Sequence, residues 1–200
     1  MDPTANEATN RLDRRAVVGT LLAERGELLV VSGLGSATYD CAAAGDDARN
    51  FYLWGAMGGS VMIALGLALA QPDRPVAAIT GDGDMLMGIG SLATVGVQAP
   101  ANLSIVVLDN ERYGETGMQH SATAHGVDLM EIARGCQIGD VRTVDTMDGV
   151  AALAADIQRM GGTMFANVRV SRAEAERVLP PRDGTLLRDR FRAAVLEPAH

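Results

Sequence analysis

The stretch TGDGDMLMGIGSLATVGVQAPANLSIVVLDN, residues 80–110, joins the ends of two apolar strands. The first strand breaks at GDG, residues 81–83, and the second ends at DN, residues 109–110. In parallel strands joined by a helical crossover, both polar ends lie at the same edge of a sheet. A carboxylate, an amide oxygen and nearby carbonyls form an oxygen-only ligand set, which suits Mg²⁺. The stretch therefore predicts a Mg²⁺ site that contains Asp82 and Asn110.

The turn at residues 81–83 also has the features of an anion-binding site. Gly81 and Gly83 allow a sharp turn and a close approach of the backbone to a ligand. A helix that begins near Asp84 would direct free N–H groups at the same point. The alternative is a plain strand–helix turn capped by aspartate, which these three residues alone would favour. Because the next strand ends in a matching Asp-Asn pair, we favour a diphosphate bound through Mg²⁺.

Strand and helix patterns alternate along the chain, and the strands are Val, Ile and Leu runs without polar alternation. This pattern is typical of a parallel sheet. The predicted fold is a three-layer α/β fold, a parallel sheet with helices on both faces, in which ligands bind beyond the carboxyl ends of the strands. The predicted strands are residues 27–35, 74–83, 101–110, 138–145 and 163–171, and the predicted helices are residues 14–25, 58–70, 84–98, 127–136, 147–160 and 185–196.

The chain predicts one domain. Residues 1–12 are expected to be a flexible N-terminal tail, followed by a single domain over residues 13–200. The most apolar stretch, GAMGGSVMIALGLALA at residues 55–70, is too short for a membrane span and predicts a helix buried on all sides. The N-terminal stretch is polar and does not have the pattern of a secretory signal. We therefore expect no contact with a membrane.

Charge and cysteine content narrow the class of protein further. The net charge is −8, which disfavours nucleic acid and anionic membranes as partners. Cys41 and Cys136 are far apart in a chain without a C-x-x-C motif, which argues against a disulfide framework, a zinc site or an iron–sulfur cluster. They are expected to be reduced cysteines in a cytoplasmic protein. GLGSAT at residues 33–38 lacks the third glycine of a dinucleotide fingerprint, so we do not predict a dinucleotide site.

GDG, followed after 25 residues by DN, resembles the diphosphate-binding motif of thiamine diphosphate enzymes. Three further stretches are similar to the branch that contains phosphonopyruvate decarboxylase and the β subunit of sulfopyruvate decarboxylase. They are WGAMGGSVMIALGLALAQPDRPVAAITGDG at residues 54–83, LDNERYGETGMQ at residues 108–119 and PPRDGTLLRDRFRAAV at residues 180–195. The resemblance covers most of residues 28–195. It implies the thiamine diphosphate-binding fold, with thiamine diphosphate and Mg²⁺ as cofactors.

The resemblance also implies roles for individual residues. The Mg²⁺ ligands would be the side chains of Asp82 and Asn110 and the carbonyl of Arg112. The backbone N–H groups of Gly83 and Asp84 would bind the diphosphate. The full set of implied cofactor-binding residues is Gly55, Ala56, Met57, Gly81, Asp82, Gly83, Asp84, Asn110, Gly114 and Glu115.

The GAMG segment would contact the two rings of the cofactor. The carbonyl of Gly55 would accept a hydrogen bond from the 4′-amino group. Met57 would be the catalytic residue that forces the rings into a bent V, which brings the amino nitrogen to the thiazolium C2 proton. The alternative for Met57 is plain core packing. Asp84 departs from the expected pattern because it adds a carboxylate, which would either favour the helix N-terminus or weaken cofactor binding.

One half of the expected active site is missing from the chain. The family needs a glutamate at the pyrimidine N1′, which lies in a preceding domain, but only some 27 residues precede the first strand. We therefore expect the cofactor-binding subunit of a split 2-oxo-acid decarboxylase. Its partners would be a separately encoded pyrimidine-binding subunit of similar size and a small 2-oxo-acid substrate, in a hetero-oligomer with two or more copies of each chain. A carboligase subunit and a non-catalytic assembly module remain the alternatives.

The segment at residues 111–126 is predicted to be a loop, and it contains several polar side chains that lack an assigned role. His120 and His125 would either help to protonate an intermediate, bind the acidic group of the substrate, or be exposed loop residues. The same alternatives apply to Glu115, Thr116 and Gln119. Nothing in their spacing separates these alternatives.

Overall fold

The computed structural model describes residues 11–196. Most of the expected N-terminal tail, residues 1–10, and the last four residues of the expected domain lie outside the described residues. Leu12, which we assigned to the tail, forms a parallel bridge with Val170. Its backbone N–H donates to the carbonyl of Arg169, and its carbonyl accepts from Ser171. The chain is therefore fixed to the sheet before the first helix begins.

Eight α-helices, two 3-10 helices (Gly114–Thr116 and Ala122–His125) and eight strands are found in the described part of the chain. The helices are α1 Arg14–Ala23, α2 Ser36–Ala43, α3 Ser60–Ala70, α4 Asp82–Met87, α5 Ser91–Gln98, α6 Leu129–Gly135, α7 Met147–Arg159 and α8 Gly184–Leu196. The strands are β1 Leu29–Ser32, β2 Asn50–Tyr52, β3 Val76–Gly81, β4 Leu103–Asp109, β5 Arg112–Tyr113, β6 Gln119–His120, β7 Asp140–Val144 and β8 Met164–Arg169.

Six of these strands form one parallel sheet in the order β2-β1-β3-β4-β8-β7. One apolar cluster packs helices α1, α2 and α7 on one face, and a second packs α3, α5 and α6 on the other. The central strands are buried along almost their whole length, which explains their unbroken apolar sequences. The predicted three-layer α/β fold is confirmed.

Strands β3 and β4 are neighbours, and their register determines where the motif residues lie. Gly81 at the end of β3 pairs with Leu108 of β4. Asp82 directly follows the first of these residues, and Asn110 lies two positions after the second. The sheet therefore places both predicted metal ligands at its carboxyl edge.

Three parts of the element prediction were incomplete. The segment at residues 111–126, predicted to be a loop, contains the short antiparallel hairpin of β5 and β6 and two 3-10 helices. The segment over residues 36–52 contains α2 and β2, which we did not predict because both are short and carry polar residues inside the element. The predicted helix at residues 84–98 is two helices, α4 and α5, separated at residues 88–90. A Cβ on Gly88 would overlap the carbonyl oxygen of Gly58, so the break permits close contact between this bend and the GAMG segment.

The expectation that the most apolar helix is buried on all sides was wrong for the single chain. Helix α3 buries Val61 and Leu65 against the sheet. Its outer face leaves Met62, Ile63 and Leu69 exposed by 43%, 38% and 50%. The reason is that α3 lies in an outer layer, where only one side of a helix meets the sheet. No helix within residues 11–196 has the length and apolar character needed to cross a membrane.

The C-terminal helix α8 lies beside β2, the outermost strand on one side of the sheet. Helix α8 packs against β2 through Phe191 and Phe51, whose ring centroids lie 5.2 Å apart. The indole N–H of Trp54 donates to the carbonyl of Pro181 at 3.0 Å. The segment before α8 is thereby attached beside the loop that carries GAMG.

Candidate functional site

The predicted metal ligands lie together in a cavity at the carboxyl edge of the sheet. Asp82 is 1% exposed and Asn110 is 9% exposed, although both line this cavity. Of the other residues predicted to bind the cofactor or metal, those that line it are Met57, Gly81, Gly83, Asp84, Arg112, Gly114 and Glu115. Gly55 and Ala56 do not line it; they are exposed in the loop just before Met57. The structure thus brings together most of the predicted residues.

The Asp82 carboxylate is held by two hydroxyl groups from the loop that follows the metal strand. Ser121 and Thr123 both donate to its Oδ2 atom, Thr123 at 3.1 Å. Burial raises the pKa of Asp82 to about 6, even though the Ser121 hydrogen bond lowers it. A nearby cation would offset the cost of burying this charge. The sequence analysis missed Ser121 and Thr123, because nothing local shows that this loop returns to the strand end.

The oxygen atoms at the strand ends suit a hard cation that is also bound by a second molecule, such as a phosphate compound. The Oδ1 atom of Asn110 accepts from the backbone N–H of Arg112 at 2.9 Å, which closes a turn after β4. No group of three His, Cys, Asp or Glu residues able to hold a metal occurs in the described ranges. One carboxylate, one amide oxygen and one carbonyl are too few for the six-fold coordination of Mg²⁺. The remaining positions would have to be filled by water and by phosphate oxygens.

Glu111 lies between Asn110 and Arg112, in a backbone conformation that is uncommon for a residue other than glycine. Its φ is +61°, in the left-handed region. Arg11 and Arg172 both bind its carboxylate. Burial raises the pKa of Glu111, but hydrogen bonds from these two arginines more than offset that effect and lower the pKa. Two ion pairs, from an arginine before α1 and from one after β8, therefore fix the turn that contains the Arg112 carbonyl.

Two helix N-termini meet the cavity. Helix α4 begins at Asp82, and helix α2 begins at Ser36, which lines the cavity with Ala37. Gly35, before α2, has a φ of +70°, which favours glycine. Free N–H groups at helix N-termini bind phosphate groups. The GLGSAT stretch, in which we found no dinucleotide site, is thus part of the candidate anion site.

The Asp84 carboxylate has a different environment from the one that the sequence suggested. It is 6% exposed and accepts hydrogen bonds from the N–H of Gly58 and the hydroxyls of Thr80 and Ser60. A Cβ on Gly33 would overlap this carboxylate. Three donors therefore stabilise its charge, and Asp84 joins the loop that follows Met57 to the end of β3.

Met57 is half-buried and lines the cavity. It belongs to neither of the two apolar core clusters. The following residue, Gly58, has a φ of +82°, so the loop turns sharply directly after the Met57 side chain. The Met57 side chain therefore belongs to the cavity wall and not to the apolar core.

The loop histidines lie outside the cavity. His120 belongs to the short hairpin of β5 and β6, in register with Arg112, and its ring centroid lies 5.4 Å from that of His125. The positive charge of Arg112 lowers the pKa of His120. Thr116 lines the cavity and Gln119 does not. The hydroxyl of Thr116 donates a hydrogen bond to Oε1 of Gln119 at 2.8 Å. The structure therefore brings only the first part of this loop to the cofactor cavity.

Comparisons with known proteins show the family of the chain. The chain matches the family described as "Thiamine pyrophosphate enzyme, C-terminal TPP binding domain" over residues 34–168. It is 42% identical over 115 residues to sulfopyruvate decarboxylase subunit beta of Methanocaldococcus jannaschii, which covers 58% of this chain and 61% of that subunit. The same subunit of Methanothermobacter thermautotrophicus is 37% identical over 163 residues, covering 82% of this chain and 84% of the subunit.

A longer relative and a solved structure extend the comparison. Phosphonopyruvate decarboxylase of Streptomyces viridochromogenes is 39% identical over 156 residues, covering 77% of this chain but only 39% of that protein. The structure of benzoylformate decarboxylase from Polynucleobacter necessarius has a TM-score of 0.67 over 82% of this chain and 34% of that chain. At 20% identity, this likeness shows the shared fold. The chain belongs to the thiamine pyrophosphate enzyme family, of which it contains the C-terminal, cofactor-binding domain.

Proposed function

We propose that the chain is the cofactor-binding subunit of a thiamine diphosphate-dependent 2-oxo-acid decarboxylase. The observation that carries this proposal is the buried pair Asp82 and Asn110 at the ends of β3 and β4, in a cavity that also receives the N-termini of α2 and α4. Oxygen ligands for Mg²⁺ and N–H donors for phosphate thus converge on one cavity. A diphosphate bridged by Mg²⁺ requires both.

The chain's own residues would divide the work of holding the cofactor. Asp82, Asn110 and the carbonyl of Arg112 would hold Mg²⁺, while the N–H groups of Gly83 and Asp84 would bind the diphosphate. Gly81, Gly114 and Glu115 would line the diphosphate end, and Gly55, Ala56 and Met57 the ring end. When bound, thiamine diphosphate supplies the nucleophilic carbon and the electron sink for decarboxylation.

Met57 would limit the space beneath the cofactor rings. Its side chain lines the cavity, and its loop is attached to β3 through the hydrogen bond from Gly58 to Asp84. A fixed side chain at this point would favour the bent arrangement of the rings over an extended one. This is a contribution to positioning of reacting atoms.

A small 2-oxo acid is the substrate that we propose. Support comes from the names of the relatives, which are decarboxylases of sulfopyruvate and phosphonopyruvate. We favour decarboxylation over carboligation on the same ground. The exposed loop side chains His120 and His125 remain candidates for contact with the substrate or its product.

The partner would be a separately encoded, pyrimidine-binding subunit of similar size. Two relatives are named subunit beta, and the chain covers only 39% of phosphonopyruvate decarboxylase. The exposed apolar face of α3, which includes Met62 and Leu69, offers a surface for such a subunit. We propose an assembly with two or more copies of each chain, in the cytoplasm, where free thiols such as Cys41 stay reduced.

The test is to titrate the purified chain with thiamine diphosphate and Mg²⁺, and then to add the polypeptide encoded beside it. We expect Mg²⁺-dependent cofactor binding by the chain, and CO₂ release from a panel of 2-oxo acids only after the second polypeptide is added. Cofactor binding that is indifferent to EDTA would contradict the metal assignment. Decarboxylation by this chain, shown free of a second polypeptide, would contradict the split-enzyme proposal.

A further inference from the structure

Arg14 lies at the carboxyl edge of the sheet, far in sequence from the cofactor motif. Leu12 pairs with the end of β8, and α1 begins two residues later with Arg14. Asp13 caps this helix, since its side chain accepts from the N–H of Ala16 at 2.7 Å. The first turn of α1 is thereby fixed beside the ends of the strands, and Arg14 lines the cofactor cavity.

A buried carboxylate fixes the guanidinium of Arg14. Asp40 of α2 is fully buried, and its Oδ2 atom accepts from Nε of Arg14. Its Oδ1 atom accepts from Nε of Arg15 at 3.1 Å. Two guanidinium groups therefore share one carboxylate, and this cluster carries a net positive charge. The side chain of Arg14 is 11% exposed, so its position is well restricted.

The two arginines differ in what they do with their remaining nitrogens. Arg15 donates through its Nη2 atom to the carbonyl of Glu176, and it lines only the neighbouring cavity. Arg14 lines both cavities, and within residues 11–196 no hydrogen-bond acceptor is paired with its two terminal nitrogens. A nearly buried guanidinium without a partner on its outer edge is expected to bind an anion.

The charges around the cavity indicate which anion. A Mg²⁺–diphosphate complex keeps a net negative charge, and Asp82 adds another. The cationic side chains that line the cavity in the described part of the chain are Arg14 and Arg112. Arg112 donates to the carbonyl of Glu111 through its Nη1 atom at 2.9 Å. Arg14 is therefore the better placed cation for a phosphate group.

We propose that Arg14 is a ligand of the terminal phosphate of thiamine diphosphate. The inference rests on the proposed cofactor function and adds a residue from the first helix to it. A guanidinium presents two parallel N–H donors to phosphate oxygens, which a lysine does not. Asp40 holds this fork in place before the cofactor arrives. The N-terminal helix thus takes part in cofactor recognition.

The test is calorimetry on the full chain with Mg²⁺ and either thiamine diphosphate or thiamine monophosphate. Arg14→Gln is expected to weaken the affinity for thiamine diphosphate by roughly 10- to 100-fold, the usual loss for a charge-assisted hydrogen bond. The smaller affinity for thiamine monophosphate should change less, because the terminal phosphate is absent. Arg14→Lys should recover part of the loss, since it restores charge without the fork.

Arg15→Gln is the matched control, because it removes the other arginine on Asp40 but leaves the cofactor cavity lining unchanged. It should retain the wild-type affinity. Equal losses in the Arg14 and Arg15 variants would overturn the inference, because they would point to the support of α2 by Asp40. Wild-type affinity in the Arg14→Gln and Arg14→Lys variants would overturn it too. If the wild-type chain binds no thiamine diphosphate, the proposed function itself fails, which is a distinct result.

Discussion

The backbone N–H of Gly58 donates a hydrogen bond to the carboxylate of Asp84, 26 residues later in the chain. The same carboxylate accepts from the hydroxyl of Thr80 at the end of β3. One buried side chain therefore joins the loop that carries Met57 to the turn that carries Asp82. The part of the site assigned to the cofactor rings and the part assigned to Mg²⁺ are mechanically one unit.

Replacement of Asp84 by asparagine tests this connection. The amide has one acceptor oxygen and no charge, and its NH₂ group would face donors. We expect Asp84→Asn to lower the free energy of unfolding by about 1–3 kcal/mol, the cost of leaving buried donors unpaired. Hydrogen exchange at the Gly58 amide should become faster. The exposed residue Asp73 provides the control Asp73→Asn, for which both measurements should match the wild type.

Gly33 provides an independent test of the same carboxylate. A Cβ at this position would overlap the Asp84 carboxylate and lie 2.7 Å from the hydroxyl of Thr80. Gly33→Ala should therefore lower the free energy of unfolding by about 1–3 kcal/mol, as overpacking does. Gly19→Ala is the control, because a Cβ at this position of α1 would have no contacts within 4 Å outside its own helix turn. That variant should be more stable by roughly 0.5–1 kcal/mol, and similar destabilisation in both variants would contradict the assignment.

Asp82→Asn separates the metal role from a role in folding. Because burial raises the pKa of Asp82 to about 6, its buried charge lowers the stability of the folded chain without metal, relative to a neutral side chain. We expect the variant to unfold without ligand at a temperature equal to or above that of the wild type. Its affinity for thiamine diphosphate with Mg²⁺ should fall by more than the roughly 10- to 100-fold typical of residues one step removed from a metal.

Ser121→Ala supplies the comparison for that measurement. It removes one donor to the Asp82 carboxylate but keeps the carboxylate itself. Its affinity for thiamine diphosphate with Mg²⁺ should fall by no more than roughly 100-fold, the usual limit for a residue that hydrogen-bonds a metal ligand. An equal or larger loss than in Asp82→Asn, measured by calorimetry with and without EDTA, would remove the ground for treating Asp82 as the metal ligand.

The thiol of Cys41 predicts a pH dependence of stability. Burial raises the pKa of Cys41 to about 12. In the unfolded chain the thiol ionises near its ordinary pKa, so the folded state binds more protons above that pH. Stability from this group is therefore fully present at neutral pH and is lost as pH rises from about 9 to 12, by about 1.4 kcal/mol per unit. Denaturant unfolding of wild type and Cys41→Ala should show a flatter alkaline decline in the variant.

The parallel character of the sheet was accessible from local patterns, whereas its strand order was not predicted. The strand runs that became β3 and β4 are apolar without alternation, and this is a property of a few neighbouring residues. The regions that escaped prediction, α2 and β2, are short elements whose polar residues, such as Asp40 and Asn50, are buried by contacts with arginines elsewhere in the chain. Their burial depends on those distant partners.

Local sequence patterns were enough to predict the parallel α/β fold and the pair Asp82 and Asn110, because strand periodicity and the spacing of the motif involve neighbouring residues. Three relations follow from the packing of distant segments: Arg14 lines the cofactor cavity, Ser121 donates to the Asp82 carboxylate, and Gly33 makes room for Asp84. The same packing leaves one face of α3 exposed. Ser121 lies 39 positions from Asp82 in the sequence, and Gly33 lies further still from Asp84. Chain folding brings such residues together through the packing of whole helices and strands, and no single segment contains that information.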